Sequence, residues 1–353
     1  AVTSFADRVL DWYCRNGRHD LPWQQDPSPY RVWISEIMLQ QTQVNTVIPY
    51  YLRFMDRFPR VTDLARASTD QVLHLWTGLG YYARARNLHD AAKTIVTQHQ
   101  GRFPSSVVGL MQLRGIGKST AGAIVALAMN TRAPILDGNV KRLLTRFHKI
   151  EGWPGQAKTN RQLWELAESK LPERDIAKYT QAMMDLGATV CTRSKPACEE
   201  CPLNEDCEAR RYDLIASIPG KKPRKALPVK SIAMFILQND AGEVLLEKRP
   251  PSGIWGSLWS LPEAAHPQDA IDLPYPGLEL KNKRELSKIR HSFTHFHLEI
   301  TPVYLCAREK TGAVMDSQSW LWYPLNSSGK TSSREIGLAA PVKKLLSTLA
   351  QSI

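Results

Sequence analysis

The stretch Leu113-Arg114-Gly115-Ile116-Gly117-Lys118-Ser119-Thr120-Ala121 places two glycines between segments of helical periodicity. After it, apolar residues recur at intervals of three and four, at positions 121, 124, 125 and 128. Glycine tolerates positive φ, so the pattern predicts a tight hairpin between two helices. The backbone at Gly115, Gly117 and Lys118 would then face an anion such as a phosphate. A plain helix-helix turn explains the same pattern without a ligand.

The charge of the chain is concentrated around this hairpin. The 353 residues include 46 Lys and Arg against 34 Asp and Glu, which gives a formal charge of +12. Residues 81–149 hold 11 basic and 2 acidic side chains, and residues 217–229 hold 4 basic and none acidic. Such a concentration is typical of a protein that binds a polyanion such as nucleic acid. A solvated basic face is the alternative.

Length and composition exclude several classes of protein. Apolar residues make up 43% of the chain, with 20 Gly and 23 Pro, which excludes a disordered or collagen-like chain. The longest uncharged run covers only residues 37–52, whereas a membrane helix needs about 20 apolar residues, so we expect no membrane segment. The first fifteen residues contain two Asp and no apolar core of a signal peptide. A cytoplasmic protein is therefore expected.

A boundary between two domains is predicted at residues 217–229. This segment contains three prolines and no acidic residue, which indicates an extended, exposed linker. Residues 1–216 show mostly helical periodicity and form the first predicted domain. Residues 230–353 form the second.

The second domain is predicted to be an α+β unit. Short apolar runs at 231–237 and 243–247 flank Asn239-Asp240-Ala241-Gly242, which is a hairpin signal. The remaining elements are strand-like runs at 295–305 and 320–323 and an amphipathic helix over 342–349.

Four of the six cysteines lie within seventeen residues, in a C-x6-C-x2-C-x5-C pattern formed by Cys191, Cys198, Cys201 and Cys207. Without a secretory signal, this clustering favours a metal centre over disulfides. Only one short C-x2-C pair is present, and the uneven spread suits a [4Fe-4S] cluster better than zinc, which stays open as an alternative. The isolated residues Cys14 and Cys306 are expected to be buried structural thiols.

At this point the sequence resembles a known family. The hairpin, the stretch Leu136-Asp137-Gly138-Asn139-Val140-Lys141-Arg142 and the four-cysteine loop together resemble the helix-hairpin-helix DNA glycosylases with an iron-sulfur cluster. Two further segments, Ser35-Glu36-Ile37-Met38-Leu39-Gln40-Gln41-Thr42-Gln43-Val44 and Gly78-Leu79-Gly80-Tyr81-Tyr82-Ala83-Arg84, are similar to the MutY adenine DNA glycosylases. The likeness covers essentially the whole chain.

The resemblance implies an all-α helix-hairpin-helix glycosylase fold at 1–216, with a [4Fe-4S] cluster loop at 191–207, followed by an α+β Nudix-like domain at 230–353. It implies a monofunctional enzyme that excises adenine mispaired with 8-oxoguanine or guanine in double-stranded DNA and so initiates base excision repair. The protein would act as a monomer on the bacterial nucleoid, with no membrane partner, and its hairpin glycines and Lys118 would contact DNA phosphates.

Cleavage of an N-glycosidic bond needs an acid that protonates the leaving base and a carboxylate that stabilises the cationic sugar. Glu36 lies in an otherwise apolar helix, so its pKa should be raised, although a surface glutamate is the plain alternative. Asp137 is one of two acids in the basic block, but it could simply cap a helix that starts near Gly138. By resemblance, Glu36 protonates adenine at N7, Asp137 stabilises or transiently bonds the sugar C1', and Asn139 supports Asp137.

Ser119 distinguishes this sequence from a sister group. In bifunctional glycosylases of the endonuclease III type, the position that resembles Ser119 carries a lysine that cleaves the strand. We therefore expect base removal without efficient strand cleavage. Two alternatives stay open: a pyrimidine-lesion lyase, disfavoured by Ser119, and a catalytically silent iron-sulfur protein that binds DNA and senses redox state.

The target base must leave the duplex to reach such a site. By resemblance, the flipped adenine would lie among Trp23, Leu39, Thr42, Gln181 and Met184. The residues inserted as wedges beside the opposite base would be Gln41, Leu79 and Tyr81. Core packing is the alternative for the tyrosines of the Gly-Leu-Gly-Tyr-Tyr turn, and at least one of them should be buried.

The second domain resembles 8-oxoguanine triphosphate hydrolases of the Nudix fold. It lacks the Arg-Glu-x-x-Glu-Glu cluster of that fold, so we expect it to recognise a base and hydrolyse nothing. The segment Arg290-His291-Ser292-Phe293-Thr294-His295 resembles the lesion-recognition loop of the family, with Phe293, Thr294 and His295 at its tip. Thr294 stands where many members carry serine. A histidine-rich β-turn is the alternative.

Overall fold

The computed structural model describes residues 4–223, 226–273, 275, 277–309, 319–325 and 334–351. Helices dominate the chain up to residue 211, and strands dominate from residue 229 onward. Internal contacts divide the chain into two compact units. We call Ala1–Arg66 with Asn87–Arg224 the helical unit, and Ala67–Arg86 with Lys225–Ile353 the sheet unit.

The helices follow the predicted periodicity and begin at recognisable caps. Ser4 caps the first helix and Ser28 the second, each through a hydroxyl that accepts from a backbone amide three residues on. No helix among the described residues has the length and apolar character needed to span a bilayer. The helices are α1 (Phe5–Asn16), α2 (Pro29–Leu39), α3 (Val44–Arg57), α4 (Val61–Arg66), α5 (Thr69–Trp76), α6 (Ala83–His99), α7 (Val107–Met111), α8 (Lys118–Met129), α9 (Gly138–Phe147), α10 (Ala157–Ser169), α11 (Ile176–Asp185) and α12 (Glu208–Arg211).

Helix α8 forms the centre of the helical unit. Its residues from Thr120 to Ala126 are buried, and it packs against α2 and α11. A Cβ atom at Gly122 would collide with the carbonyl of Pro134. The absence of a side chain therefore lets the segment that leads into α9 run directly against α8. This packing brings the start of α8 close to the start of α9.

The sheet unit is built on one mixed sheet. Strand order in its main path is β3-β2-β1-β7-β5, with β1 and β7 parallel and the other pairs antiparallel. A helix near the end of the chain buries Val342, Leu345 and Leu346, which confirms the predicted α+β class. The elements are β1 (Val229–Gln238), β2 (Glu243–Lys248), β3 (Trp259–Ser260), β4 (Glu263–Ala264), β5 (Leu278–Glu285), β6 (Ile289–Ser292), β7 (His297–Glu309), β8 (Trp320–Pro324) and α13 (Ala340–Ala350).

The predicted linker at 217–229 is only partly exposed. Ile218 is buried, and its carbonyl accepts from Nε of Arg146 at 2.9 Å. The amide of Gly220 donates to the carbonyl of Gly152 at 3.1 Å, so the beginning of the segment is bound to the helical unit. Residues 221–223 are exposed, and positions 224 and 225 lie outside the described residues.

Residues 67–86 belong to the sheet unit although they lie far from it in sequence. Asp70 at the start of α5 accepts from Nζ of Lys248 at 2.9 Å and from Nε1 of Trp259 at 3.2 Å. The hydroxyl of Tyr82 donates to the carbonyl of Leu338 at 3.3 Å. These contacts attach the Gly-Leu-Gly-Tyr-Tyr turn to the sheet unit, a grouping that the continuous domain 1–216 did not anticipate.

Candidate active site

Glu36 occupies a strongly apolar part of α2. Its neighbours Trp33, Ile34, Ile37 and Met38 are all buried. Part of the Glu36 residue is exposed, but protein atoms closely surround its carboxyl group. Burial, and secondly the charge of Asp137, raise the pKa of Glu36 to about 8. The group can therefore hold its proton near neutral pH.

Asp137 caps helix α9 and also interacts with Glu36. Its Oδ1 accepts from the amide of Val140 at 2.8 Å, as the capping interpretation requires. Burial raises the pKa of Asp137. The hydrogen bonds from the amides of Val140 and Asn139 and the positive charges of Arg142 and Lys141 act in the opposite direction and lower this pKa. Because the Asp137 charge acts on Glu36, the structure brings the two predicted carboxyl groups into one site.

Two neighbours fix the segment that carries Asp137. The Ser119 hydroxyl accepts from the amide of Leu136 at 3.0 Å, which ties the first turn of α8 to the residue before Asp137. Asn139 Oδ1 accepts from Nη2 of Arg142 at 2.9 Å, and Nε of Arg142 donates to the carbonyl of Cys191 at 2.6 Å. Arg142 thus connects the start of α9 to the first predicted cluster ligand.

The hairpin before α8 uses its two glycines differently. Gly115 has a φ of +83°, and a Cβ there would lie 2.8 Å from Cβ of Asn87. Gly117 has extended backbone angles, and a Cβ there would meet nothing within 4 Å. Gly115 is therefore required by the turn itself, whereas Gly117 leaves open space in front of the helix N-terminus. Nζ of Lys118 lies 4.1 Å from the ring centre of Trp164.

The four clustered cysteines line one cavity together with apolar side chains that include Leu143, Phe147, Val190 and Leu203. Burial raises the pKa of Cys198 and Cys207, and it raises that of Cys201 to about 12, so thiolates here need a bound cation. Among the described residues, no three His, Cys, Asp or Glu side chains converge as they would on a single metal ion. A cavity lined by four cysteines and by apolar side chains has the donor set that an iron-sulfur cluster requires.

The isolated thiols differ from expectation. Cys14 is exposed and Cys306 only partly buried, so the prediction of buried structural thiols is wrong for Cys14. Phe5, Val9 and Trp12 form the buried face of α1, and Cys14 lies outside that face.

A cavity of about 250 Å³ opens in the helical unit. Trp23 and Gln181 of the predicted adenine pocket line it, together with Tyr13, His19 and Val32. The other predicted pocket residues, Leu39, Thr42 and Met184, are partly buried but do not belong to its lining.

Two of the three predicted wedge residues have unusual backbone conformations. Gln41 has a φ of 58° and Tyr81 a φ of 48°, and both side chains are exposed. Non-glycine residues at positive φ cost free energy and cluster at functional sites. Leu79, by contrast, is buried, and so is Tyr82, as expected for one of the two tyrosines.

The predicted lesion-recognition segment is the hairpin between β6 and β7. Thr294 and His295 are exposed at its tip, and the amide of Phe293 donates to the carbonyl of Phe296 at 2.9 Å. Phe293 stacks on Phe296 with ring centres 4.6 Å apart. Trp255, at a φ of 54°, packs on Phe293 at 5.5 Å. The tip is therefore supported by an aromatic cluster.

Comparison with known proteins identifies the family. The model of the HhH-GPD superfamily base excision DNA repair protein matches residues 34–169, that of the iron-sulfur binding domain of endonuclease III matches 191–207, and that of the NUDIX domain matches 233–348. The adenine DNA glycosylase of Buchnera aphidicola subsp. Acyrthosiphon pisum is 39% identical over 350 residues, which cover 99% of this chain and 98% of that protein. The chain belongs to the adenine DNA glycosylase family. The human adenine DNA glycosylase is 34% identical, over 84% of this chain and 66% of its own length.

Membership of the adenine DNA glycosylase family makes the chain a DNA N-glycosylase with a [4Fe-4S] site at its four cysteines. When bound, the cluster supplies iron-thiolate bonds that hold the loop 191–207 together. A thermostable thymine-DNA glycosylase is 27% identical, with a TM-score of 0.52 over 59% of this chain and 95% of that one. Endonuclease III in a non-covalent DNA complex is 18% identical, with a TM-score of 0.51 over 59% of this chain and 94% of that one. This likeness supports the fold alone.

Several contacts around the predicted site residues have no local signal in the sequence. Arg142 belongs to the stretch 136–142, which does not predict its contacts, and Asp185 lies in no recognised motif. Trp255 follows a glycine-containing turn but gives no signal for its contact with Phe293. The pairing of Arg18 with Asp185 joins residues 167 positions apart, which no local pattern can indicate.

Proposed function

We propose that this chain removes adenine mispaired with 8-oxoguanine or guanine in duplex DNA and so initiates base excision repair. The observation that supports the proposal most strongly is the pair of interacting carboxyl groups, Glu36 with a pKa of about 8 and Asp137 held by backbone amides. This is the acid and the carboxylate that cleavage of an N-glycosidic bond requires. The adenine DNA glycosylase relatives support the choice of base.

In the proposed reaction, the protonated carboxyl of Glu36 donates its proton to N7 of adenine. The bond between C1' and N9 then breaks, and its electron pair leaves with the base. The ionised carboxylate of Asp137 stabilises the positive charge that develops on the sugar. Water adds its hydroxyl at C1', and its proton returns to Glu36. Asn139, bound to Arg142, supports the position of Asp137.

The enzyme is proposed to leave the strand intact. Ser119 cannot form a Schiff base with C1', and its hydroxyl already accepts from the amide of Leu136. Its role is to hold the segment before Asp137. The hairpin amides at Gly115 and Gly117, with the charge of Lys118, contact a DNA phosphate across the open space at the start of α8.

Base flipping is assigned to two sets of residues. The exposed Gln41 and Tyr81, both at positive φ, insert beside the opposite base, and Leu79, which is buried in the free protein, would have to leave its packed position to join them. The extruded adenine enters the site among Trp23, Leu39, Thr42, Gln181 and Met184. The cavity lined by Trp23 and Gln181 supports the position of this site.

The opposite base is read by Phe293, Thr294 and His295. The exposed hydroxyl of Thr294 lies 3.3 Å from Nδ1 of His295, and the aromatic cluster below supports both. A base can stack on this cluster, while the Thr294 hydroxyl hydrogen-bonds to 8-oxoguanine. We further propose that the protein acts as a monomer on the DNA of the bacterial nucleoid.

A single-turnover assay tests the proposal. Duplexes with adenine opposite 8-oxoguanine, guanine or thymine are incubated with excess protein and analysed with and without alkali. Release of adenine opposite 8-oxoguanine and guanine, with strand breaks only after alkali, is the expected result. Absence of free adenine contradicts the proposal, and strand breaks without alkali support a lyase instead.

A further inference from the structure

Asp185 is the centre of a buried hydrogen-bond network that no step above uses. The residue ends helix α11 and is only 1% exposed. Its Oδ1 accepts from Nε and Nη2 of Arg18 at 2.9 and 2.6 Å, and its Oδ2 accepts from the amide of Arg18 at 2.8 Å. Oδ1 also accepts from Nε2 of Gln181 at 2.8 Å. A buried ion pair thus touches a side chain that lines the cavity.

The network fixes which way the amide of Gln181 points. An ionised carboxylate can only accept hydrogen bonds, so the group of Gln181 that faces Asp185 must be its NH2. This hydrogen bond therefore fixes the orientation of the Gln181 amide, whose nitrogen and oxygen cannot be told apart by shape alone. Oε1 is then the remaining polar atom of a side chain that lines the cavity, and no described residue donates to it.

We propose that Asp185, held by Arg18, is a positioning residue that makes the cavity selective for a base with an exocyclic amino group. The inference rests on the proposed function and adds the origin of its preference for adenine. The Oε1 atom of Gln181 accepts from the 6-amino group of adenine. A 6-oxo purine such as hypoxanthine presents a carbonyl to this oxygen, and two acceptors facing each other repel.

Selectivity requires that Gln181 does not simply rotate its amide for the wrong base. In the rotated state Oε1 would face the Asp185 carboxylate, and the hydrogen bond of 2.8 Å would be replaced by repulsion between two acceptors. Gln181 is 6% exposed and Asp185 1%, so water cannot screen this repulsion effectively. The buried carboxylate thereby excludes the orientation that would accept hypoxanthine.

Single-turnover rates on three otherwise identical duplexes test the proposal. Each carries adenine, unsubstituted purine or hypoxanthine opposite guanine, so that the bases differ in the group at C6 and, for hypoxanthine, in the N1–H that accompanies its 6-oxo group. In Asp185→Asn the partner of Gln181 can donate as well as accept. Because both orientations of Gln181 then find a partner, we expect the adenine-to-purine rate ratio to fall by no more than about twofold and the hypoxanthine-to-purine ratio to rise about tenfold, the size of one hydrogen bond. Ratios equal to those of the wild type, with all three rates lowered together, would overturn it.

Two further variants separate positioning from folding. Asp185→Glu keeps an acceptor-only group and should restore both ratios even if its rates are low. Gln181→Met keeps the Arg18–Asp185 pair but has no oxygen acceptor, so it should lower the adenine-to-purine ratio about tenfold. An unchanged ratio there overturns the proposal even if Asp185→Asn does not fold. Thermal melting reports the fold of each variant. Failure of the wild type to release adenine from any duplex would contradict the proposed function and not this assignment.

Discussion

The site around Glu36 and the hairpin tip around Phe293 are built from different kinds of side chain. In the helical unit the central groups are ionisable, and burial raises the pKa of both Glu36 and Asp137. In the sheet unit the tip consists of aromatic rings packed on each other, with Phe293 between Phe296 and Trp255. Burial there lowers the pKa of His291 and so favours its uncharged ring.

Under the proposed function, this difference assigns catalysis and recognition of the opposite base to separate groups of residues. A buried carboxyl with a raised pKa is costly for folding and useful for proton donation. An aromatic cluster stabilises the fold and offers a surface on which a base can stack. Changes around Glu36 should therefore act on every substrate alike, whereas changes around Phe293 should act on the discrimination between opposite bases.

The largest effect is expected from Glu36→Gln, which removes the proton donor and keeps the shape of the side chain. We expect adenine release to fall by about a thousandfold, because general acid catalysis contributes about 10² to 10⁴. The factor should be equal for duplexes with 8-oxoguanine and with guanine. Single-turnover rates measure both. The exposed Glu165→Gln in α10 is the matched control and should keep wild-type rates.

The pH dependence of adenine release is the next largest effect. Glu36 must be protonated to act, and its pKa of about 8 means that the active form is lost as pH rises through that value. The single-turnover rate should be nearly constant just below pH 7 and fall about tenfold per unit well above pH 8. Duplex affinity, measured by fluorescence anisotropy, should not follow this curve. A rate that stays flat to pH 10 would contradict the role of Glu36.

Phe293→Ala should change discrimination and leave the chemistry intact. Loss of the ring removes a stacking surface worth about 1 to 3 kcal/mol per base, so release opposite 8-oxoguanine should slow about tenfold. Release opposite guanine should change by less than about twofold. Competition between the two duplexes measures the ratio directly. The control Tyr212→Ala removes an exposed ring from the helical unit, and equal effects of the two variants would argue against reading by Phe293.

Much of the fold could be predicted from sequence because its signals are local. The turn Asn239-Asp240-Ala241-Gly242 does connect β1 and β2, and the apolar pattern around Glu36 does form α2. The cysteine spacing predicted the iron-sulfur site, which the family model confirms. The roles of Glu36 and Asp137 in catalysis stay predictions, although the structure brings both groups together.

What could not be predicted depends on contacts between distant segments. Asp70 and Gln71 are ordinary residues in a capped helix, and only the fold brings Asp70 to Lys248 and Trp259. The ion pair between Arg18 and Asp185 likewise has no local signal. The positive φ of Trp255 goes against the usual preference for glycine, so no turn rule indicates it. Such pairs form when distant segments pack together, so no short window of the sequence contains a signal for them.

The smallest effect is expected at the hairpin before α8, and it should be equal for either opposite base. Gly117→Thr keeps an N-cap residue at extended backbone angles and meets no protein atom, so thermal stability should be preserved. The new side chain fills the space where a phosphate would approach, and duplex affinity should fall about fivefold for both opposite bases. Gly115→Ala should instead lower stability by about 1 kcal/mol or more, because its φ of +83° and the nearby Asn87 oppose a side chain. If Gly117→Thr changed the ratio between 8-oxoguanine and guanine as Phe293→Ala does, the separation of phosphate holding from base reading would be refuted.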